Sequence, residues 1–196
     1  MERKVSIDRD FIEEKMKEIL EKGLGLSQDD PTFNKTPKRV AKFLSDYFSR
    51  LDPKSSELKS LMERHFPINY DGMIIKRKIK VYSLCPHHLI PSVYDISIGF
   101  IPNERSTGFS NLSKMMEILG KKPVLQEELT QEIVECLDKW LEPKGSICII
   151  HGTHLCIPIC GSKDEKPTTT KLSSGVFLHE PDMETKFTNM ISDESE

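Results

Sequence analysis

The chain has 196 residues, 37% of them apolar and 30% charged, with a formal net charge of −3. That length suits one good-sized domain with an appendage, and the near-neutral balance gives no electrostatic pointer to nucleic acid or to a membrane surface. No apolar run approaches the roughly 18 residues of a membrane helix, and Met1-Glu-Arg-Lys starts no signal peptide, so a cytoplasmic protein is expected. The five cysteines, at 85, 136, 148, 156 and 160, are odd in number and scattered, which argues for reduced thiols over a disulfide framework.

In chain order, the first ten residues are polar and are expected to be loose. Phe11, Ile12, Met16, Ile19 and Leu20 recur at helical spacing until Gly23 and Gly25. A polar loop over 26–35 leads to Thr36-Pro37, read as N-cap and first helical residue. The helix they open carries Val40, Phe43, Leu44, Tyr47 and Phe48 on one face. A short third helix is expected over Glu57–His65. After Asp71-Gly72 the texture changes to alternating β-branched and basic residues, which predicts a strand over Met73–Ser83 and a second over Ser92–Ile101. Helices follow at Ser110–Leu119 and Glu127–Trp140, then an apolar strand at Ser146–His151. Cys156–Gly161 reads as its continuation beyond a kink, Val176–His179 as the last strand, and Ser192–Glu196 as a disordered acidic tail. Helices and strands do not alternate, so the fold class is α+β with antiparallel sheet. The domains expected are a helical segment over 1–70, a catalytic domain over 71–191 and the tail over 192–196.

Chemistry concentrates in Ser83-Leu-Cys-Pro-His-His-Leu-Ile-Pro91 and Gly152-Thr-His-Leu-Cys156. Cys85 and His88, three apart, can offer a thiolate and an imidazole from one turn to one metal ion. His154 and Cys156, two apart in a strand, leave the same face. Cys85, His88 and Cys156 make a Cys2His set, the pattern of a catalytic zinc with one position open for water, whose pKa falls towards ~7 on binding. His87 and His154 then stand beside that water as proton carriers or as supports that orient a ligand. The rival is a closed Cys3His structural site with Cys160 as fourth ligand. Cys160 is four residues past Cys156, about 13 Å along an extended strand, so that set needs a sharp bend at Pro158.

These motifs, together with Gly99-Phe-Ile-Pro102, Gly108-Phe-Ser-Asn-Leu112, Pro123-Val-Leu-Gln-Glu-Glu-Leu-Thr130, Ser174-Gly-Val-Phe177 and Thr36-Pro37-Lys38-Arg39-Val40-Ala41, resemble GTP cyclohydrolase I in order and spacing over roughly residues 10–190. The resemblance implies the tunnelling fold, an antiparallel sheet with two helices on one face, in a toroidal homodecamer with active sites between subunits. It also implies a zinc-dependent opening of the imidazole ring of GTP at C8, with release of formate and formation of 7,8-dihydroneopterin triphosphate. By position, Cys85, His88 and Cys156 resemble the family's zinc ligands, and His87 and His154 its acid–base histidines. Gln126 and Glu127 resemble the pair that reads the guanine edge, where one carboxylate accepts two parallel N–H bonds. Without the family, Glu127 reads as an acidic residue favoured by the helix dipole.

The phosphate end departs from the family pattern. Pro86 replaces the usual Glu, Asn111 replaces the Lys after Ser110, and Cys160 replaces an Arg. Ser110, Lys114 and Arg39 remain at substrate-binding positions. Each missing charge-assisted hydrogen bond is worth roughly 1.5–3 kcal/mol, so losing two weakens triphosphate binding unless Lys163, Lys166 or Lys171 compensates. Alternatives are therefore a paralogue acting on a guanine nucleotide with fewer phosphates or another sugar, and a non-catalytic guanine-nucleotide-binding homologue. Thr168-Thr-Thr170 matches a Thr-rich segment and is assigned a structural role.

Overall fold

The computed structural model describes residues 7–49, 56–163 and 166–192. By their internal contacts the residues group into two compact units, Met1–Pro53 and Lys54–Glu196. The expected acidic tail beyond Ser192 and the first six residues lie outside the described ones.

In the first unit, helix α1 (Arg9–Glu18) is capped by Asp8, whose carboxylate accepts the Phe11 N–H at 2.9 Å. It runs into a π-helical turn, Ile19–Gly23, and Gly25 then supplies the left-handed backbone (φ 67°) that turns the chain. Helix α2 (Thr36–Phe48) starts at Thr36 itself, with Lys35 before it and Pro37 in its first turn. Thr36 is thus inside the helix and does not cap it.

The second unit begins with α3 (Ser56–Met62). This helix stops three residues short of the expected end, because His65–Pro67 is recruited as strand β1 against β4 (Arg105–Thr107). The main sheet holds β2 (Ile74–Leu84), β3 (Pro91–Ile101), β5 (Gly145–His154) and β6 (Thr168–Ser173) in that spatial order, every neighbour antiparallel. Helices α4 (Phe109–Gly120) and α5 (Gln126–Leu141) lie between β4 and β5 in sequence. The expected α+β class with antiparallel sheet is what the chain adopts.

Side-chain alternation sorts β5 between two apolar clusters. Cys148 and Ile150 face α4 and α5, joining Leu112, Met115, Leu129, Ile133 and Leu137. Ile147 and Ile149 face the opposite way, onto Phe177, Phe187 and Ile191. That second face is covered by two elements the sequence reading did not provide. Val176–His179 is a helical turn, α7, and not a strand. Helix α8 (Pro181–Ser192) follows it and seats Phe187 over Gly99, where a Cβ would meet the ring at 2.7 Å. The last strand is instead the Thr-rich β6, whose threonines pair with 150–152 of β5. Two helices do lie on one face of the sheet, as expected, but the other face is not bare.

A bulge in β2 completes the frame. Pairing with β3 shifts register between Lys76 and Ile79, with Lys78 at φ 53° and its N–H donating to Ser97 Oγ at 3.2 Å. As a result Ile75 packs with the α8 cluster, while Ile79 and Val81 pack with the main core.

Candidate metal centre

The site forms where the C-terminal end of β2, the N-terminal end of β3 and the C-terminal end of β5 meet the start of α5. Ser92 of β3 pairs with His154 of β5, and Leu84 bridges Pro123 just ahead of α5. Ser83 Oγ donates to the Lys122 carbonyl at 2.8 Å, tying that loop to the strand end.

Residues 85–90 form the turn between β2 and β3. Cys85 N–H donates to the Ile90 carbonyl at 2.9 Å, and Leu89 N–H to the Cys85 carbonyl at 2.8 Å, with Leu89 left-handed at φ 53°. The closure folds His87 and His88 back towards Cys85, whose Sγ lies 3.8 Å from His87 Nδ1 and 3.7 Å from His88 Nδ1. The other arm differs from expectation. β5 ends at His154, Leu155 is already in helical conformation, and Cys156 opens a one-turn helix, α6 (Cys156–Ile159). Thus Cys156–Gly161 does not continue the strand, and it is the turn at Leu155 that carries Cys156 to Cys85.

Among the described residues, Cys85, His88 and Cys156 form a group whose ligand atoms all lie within 4.8 Å of one another. Two thiols and an imidazole at that separation are a donor set for a tetrahedral metal ion: ligands 2.0–2.3 Å from such an ion stand roughly 3.3–3.8 Å apart. Cys160 is exposed and outside the group, so the cluster has the open three-ligand form. Burial, and then the neighbouring Cys85, push the Cys156 thiol above its ordinary pKa. A bound cation reverses that preference, since a coordinating thiol is deprotonated outright.

His154, the last residue of β5 and two before Cys156, is half-buried. Its Nδ1 is 3.3 Å from Ser92 Oγ, its Nε2 is 2.8 Å from Gln126 Oε1 and 3.0 Å from Thr168 Oγ1, and its ring meets Tyr94 edge to face at 5.7 Å. Burial lowers its pKa from the ordinary value, and the Glu127 carboxylate opposes that shift. Glu127 is exposed on the first turn of α5, where its charge reaches this imidazole. Gln126, next to it, is buried and turned inward.

The remaining expected residues lie differently. Ser110 is exposed in the first turn of α4, and Lys114 is exposed on the same helix, 3.9 Å from both Glu57 and Glu117. Among the described residues neither has a hydrogen bond or ion pair to the cysteine–histidine group. Arg39 is exposed on α2 in the first unit. Ser92, Tyr94 and Thr168 contact His154 without having been singled out for chemistry. Only the Thr-rich run carried a signal, and it was read as structural.

A family model for GTP cyclohydrolase I matches residues 12–192. A protein of Clostridium perfringens named GTP cyclohydrolase 1 is 33% identical over 187 residues, covering 95% of this chain and 99% of its own. Its namesake from Finegoldia magna is 34% identical over 180 residues, covering 90% and 95%. The chain belongs to the GTP cyclohydrolase I family. A crystal structure of the apo form of the archaeosine synthase QueF-Like aligns at a TM-score of 0.46, with 15% identity over 55% of this chain and 97% of that one.

Of the two positions expected to be cationic, Asn111 has a side-chain partner of its own, whereas nothing in the structure explains Cys160. Asn111 is in the first turn of α4 and donates to Thr107 Oγ1 at 2.9 Å, while Thr107 donates to the Arg64 carbonyl at 3.0 Å. It therefore closes the β4–α4 junction. Cys160 ends α6, its N–H bonded to the Cys156 carbonyl at 3.1 Å. No helix of the described residues is long and apolar enough to cross a membrane.

Proposed function

We propose that this protein is a zinc-dependent GTP cyclohydrolase that opens the imidazole ring of GTP at C8. The net reaction adds one water, releases formate and yields 7,8-dihydroneopterin triphosphate. The observation that carries this reading is the convergence of Cys85, His88 and Cys156, with His154 two residues before Cys156, in a chain of this family. Two thiols and one imidazole suit zinc over harder ions such as magnesium or calcium, which take oxygen ligands. Zinc held there supplies Lewis acidity for the attack of water on C8.

This chain's own groups do the rest. Glu127 accepts N1–H and the exocyclic amine of guanine, a bidentate contact that orients the purine with C8 towards the cluster. His154 protonates the imidazole nitrogen as C8 is attacked, and His87, 3.8 Å from Cys85 Sγ, takes the proton from the incoming water. Lys114 and Ser110 bind the triphosphate, Arg39 is a further substrate-binding residue, and the protein works as a homo-oligomer, a decamer by family likeness, in the cytoplasm.

The test is formate release from GTP by zinc-loaded protein. Cys156→Ala loses zinc and turnover together, whereas Cys160→Ala keeps its full zinc content. Loaded wild-type protein that releases no formate refutes the proposal. A second reading is favoured by Asn111, which is engaged with Thr107, and by the uncharged Cys160: a guanine nucleotide with fewer phosphates is the better substrate. Comparing GTP, dGTP and GMP separates the two, because a much higher kcat/KM for GTP eliminates the second.

A further inference from the structure

Gln126 occupies a position expected to face substrate, yet its side chain is only 3% exposed and both ends of its amide are engaged within the chain. Nε2 donates to the Ile150 carbonyl at 3.0 Å, the Thr168 carbonyl at 3.2 Å and Thr170 Oγ1 at 3.1 Å. Backbone carbonyls only accept, so they fix which end of the amide is nitrogen. The oxygen is left facing His154 Nε2 at 2.8 Å and receives the Thr168 hydroxyl, also at 2.8 Å. An amide oxygen cannot donate, so the hydrogen of that contact belongs to His154 Nε2. In the neutral ring Nδ1 is then the lone-pair nitrogen, with the Ser92 hydroxyl 3.3 Å away.

The seat itself is built for this contact. At Gly152 an added Cβ would lie 2.1 Å from Gln126 Oε1, so the absent side chain there lets the amide reach His154. Thr130 Oγ1 donates to the Gln126 carbonyl at 2.7 Å and lies 2.6 Å from Thr170 Oγ1, extending the support behind the amide.

We propose that Gln126, with Thr168, is a positioning residue that fixes the ring orientation and the Nε2–H tautomer of His154. The catalytic consequence rests on the proton-carrying role given to His154 under the proposed function; the tautomer does not. With Nε2–H given to Gln126, Nδ1 on the Ser92 side is the nitrogen that takes up a proton and passes it on to substrate, and residues that orient such a group act on turnover more than on binding.

The experiment uses full-length, zinc-loaded protein with nitrogen-15-labelled histidine, at about pH 8.5, above the ordinary imidazole range. In the wild type His154 gives the signature of a single Nε2–H tautomer. Thr168→Val, a change on an exposed edge-strand residue, and Gln126→Ala both give a mixed signature, and Thr168→Ser restores the wild-type one. With GTP, Thr168→Val and Gln126→Ala lower kcat about tenfold or more, a fraction of what a placed acid–base group supplies, with KM within about threefold. Thr168→Ser recovers kcat. A raised KM with unchanged kcat, an unaltered His154 signature, or loss of zinc in Thr168→Val each overturns the proposal. If wild-type protein releases no formate from GTP, the proposed function falls, while the tautomer signature still decides the role of Gln126.

Discussion

Gly152→Ala is the sharpest single perturbation of the site. The new Cβ would stand 2.1 Å from Gln126 Oε1, 2.9 Å from its Cδ and 3.0 Å from Tyr94 Cδ1. Gly152 has no left-handed backbone, so alanine meets no conformational strain and the collision is the whole effect. Overpacking of this kind costs about 1–3 kcal/mol. Expelling the amide leaves the buried Ile150 carbonyl and its neighbours short of a donor, about 1–3 kcal/mol more. Replacing glycine in a strand returns about 0.5–1 kcal/mol. The net loss is about 1–5 kcal/mol, or a Tm lower by roughly 3–16 °C for a unit of this size. None of Cys85, His88 and Cys156 is touched, so zinc stoichiometry stays at the wild-type value while kcat for formate release falls. Thermal denaturation, metal analysis and a formate assay on the same preparation measure all three. A Gly152→Ala protein that melts with the wild type and turns over at its rate would show that the packing around Gln126 does not hold His154.

Glu127→Gln removes the charge from the guanine contact proposed above and is expected to weaken GTP binding about 10–150-fold, the equivalent of a charge-assisted bond. It should also narrow the preference for GTP over ITP, which lacks the exocyclic amine; an unchanged preference would assign guanine reading elsewhere. Phe187→Ala empties the seat over Gly99 and is expected to cost about 3–5 kcal/mol in denaturant unfolding, leaving zinc in place. A loss under about 1 kcal/mol would mean that α8 adds little to the sheet. Burial pushes the Cys136 thiol from 9.0 up to about 12. Its folded pKa lies above its unfolded one, so its contribution to stability is complete below pH 9 and is lost as pH rises towards 12. The slope approaches about 1.4 kcal/mol per pH unit. Cys136→Ala should therefore show a shallower decline in unfolding free energy between about pH 8 and 10.5 than the wild type, given that slope; equal slopes would remove the thiol as the cause.

What the sequence by itself determined was the class of the fold and the candidate ligand set Cys85, His88 and Cys156, which the structure brings together. Cys85-Pro-His-His88 and His154-Leu-Cys156 are close-range spacings, and helical or strand periodicity is a local property that α4, α5, β3 and β5 display in their own residues. The tertiary structure decided what those spacings could not. Strict alternation would put Ile75, Ile79 and Val81 on one face, but the bulge at Lys76–Ile79 divides them between two clusters. Val176–His179 has the composition of a strand, yet β5 takes its partner from the Thr-rich 168–173 instead, because a strand is defined by the neighbour that completes its hydrogen bonds. Gln126 gives the clearest case. Its neighbour Glu127 faces solvent, whereas Gln126 is turned beneath β5 and β6, where Gly152, Thr168 and Thr170 come from two other strands to receive it. That the amide meets His154 and not solvent follows from which strands pair. Pairing of β5 with β6, between residues 16 to 26 positions apart, leaves no local pattern in the chain.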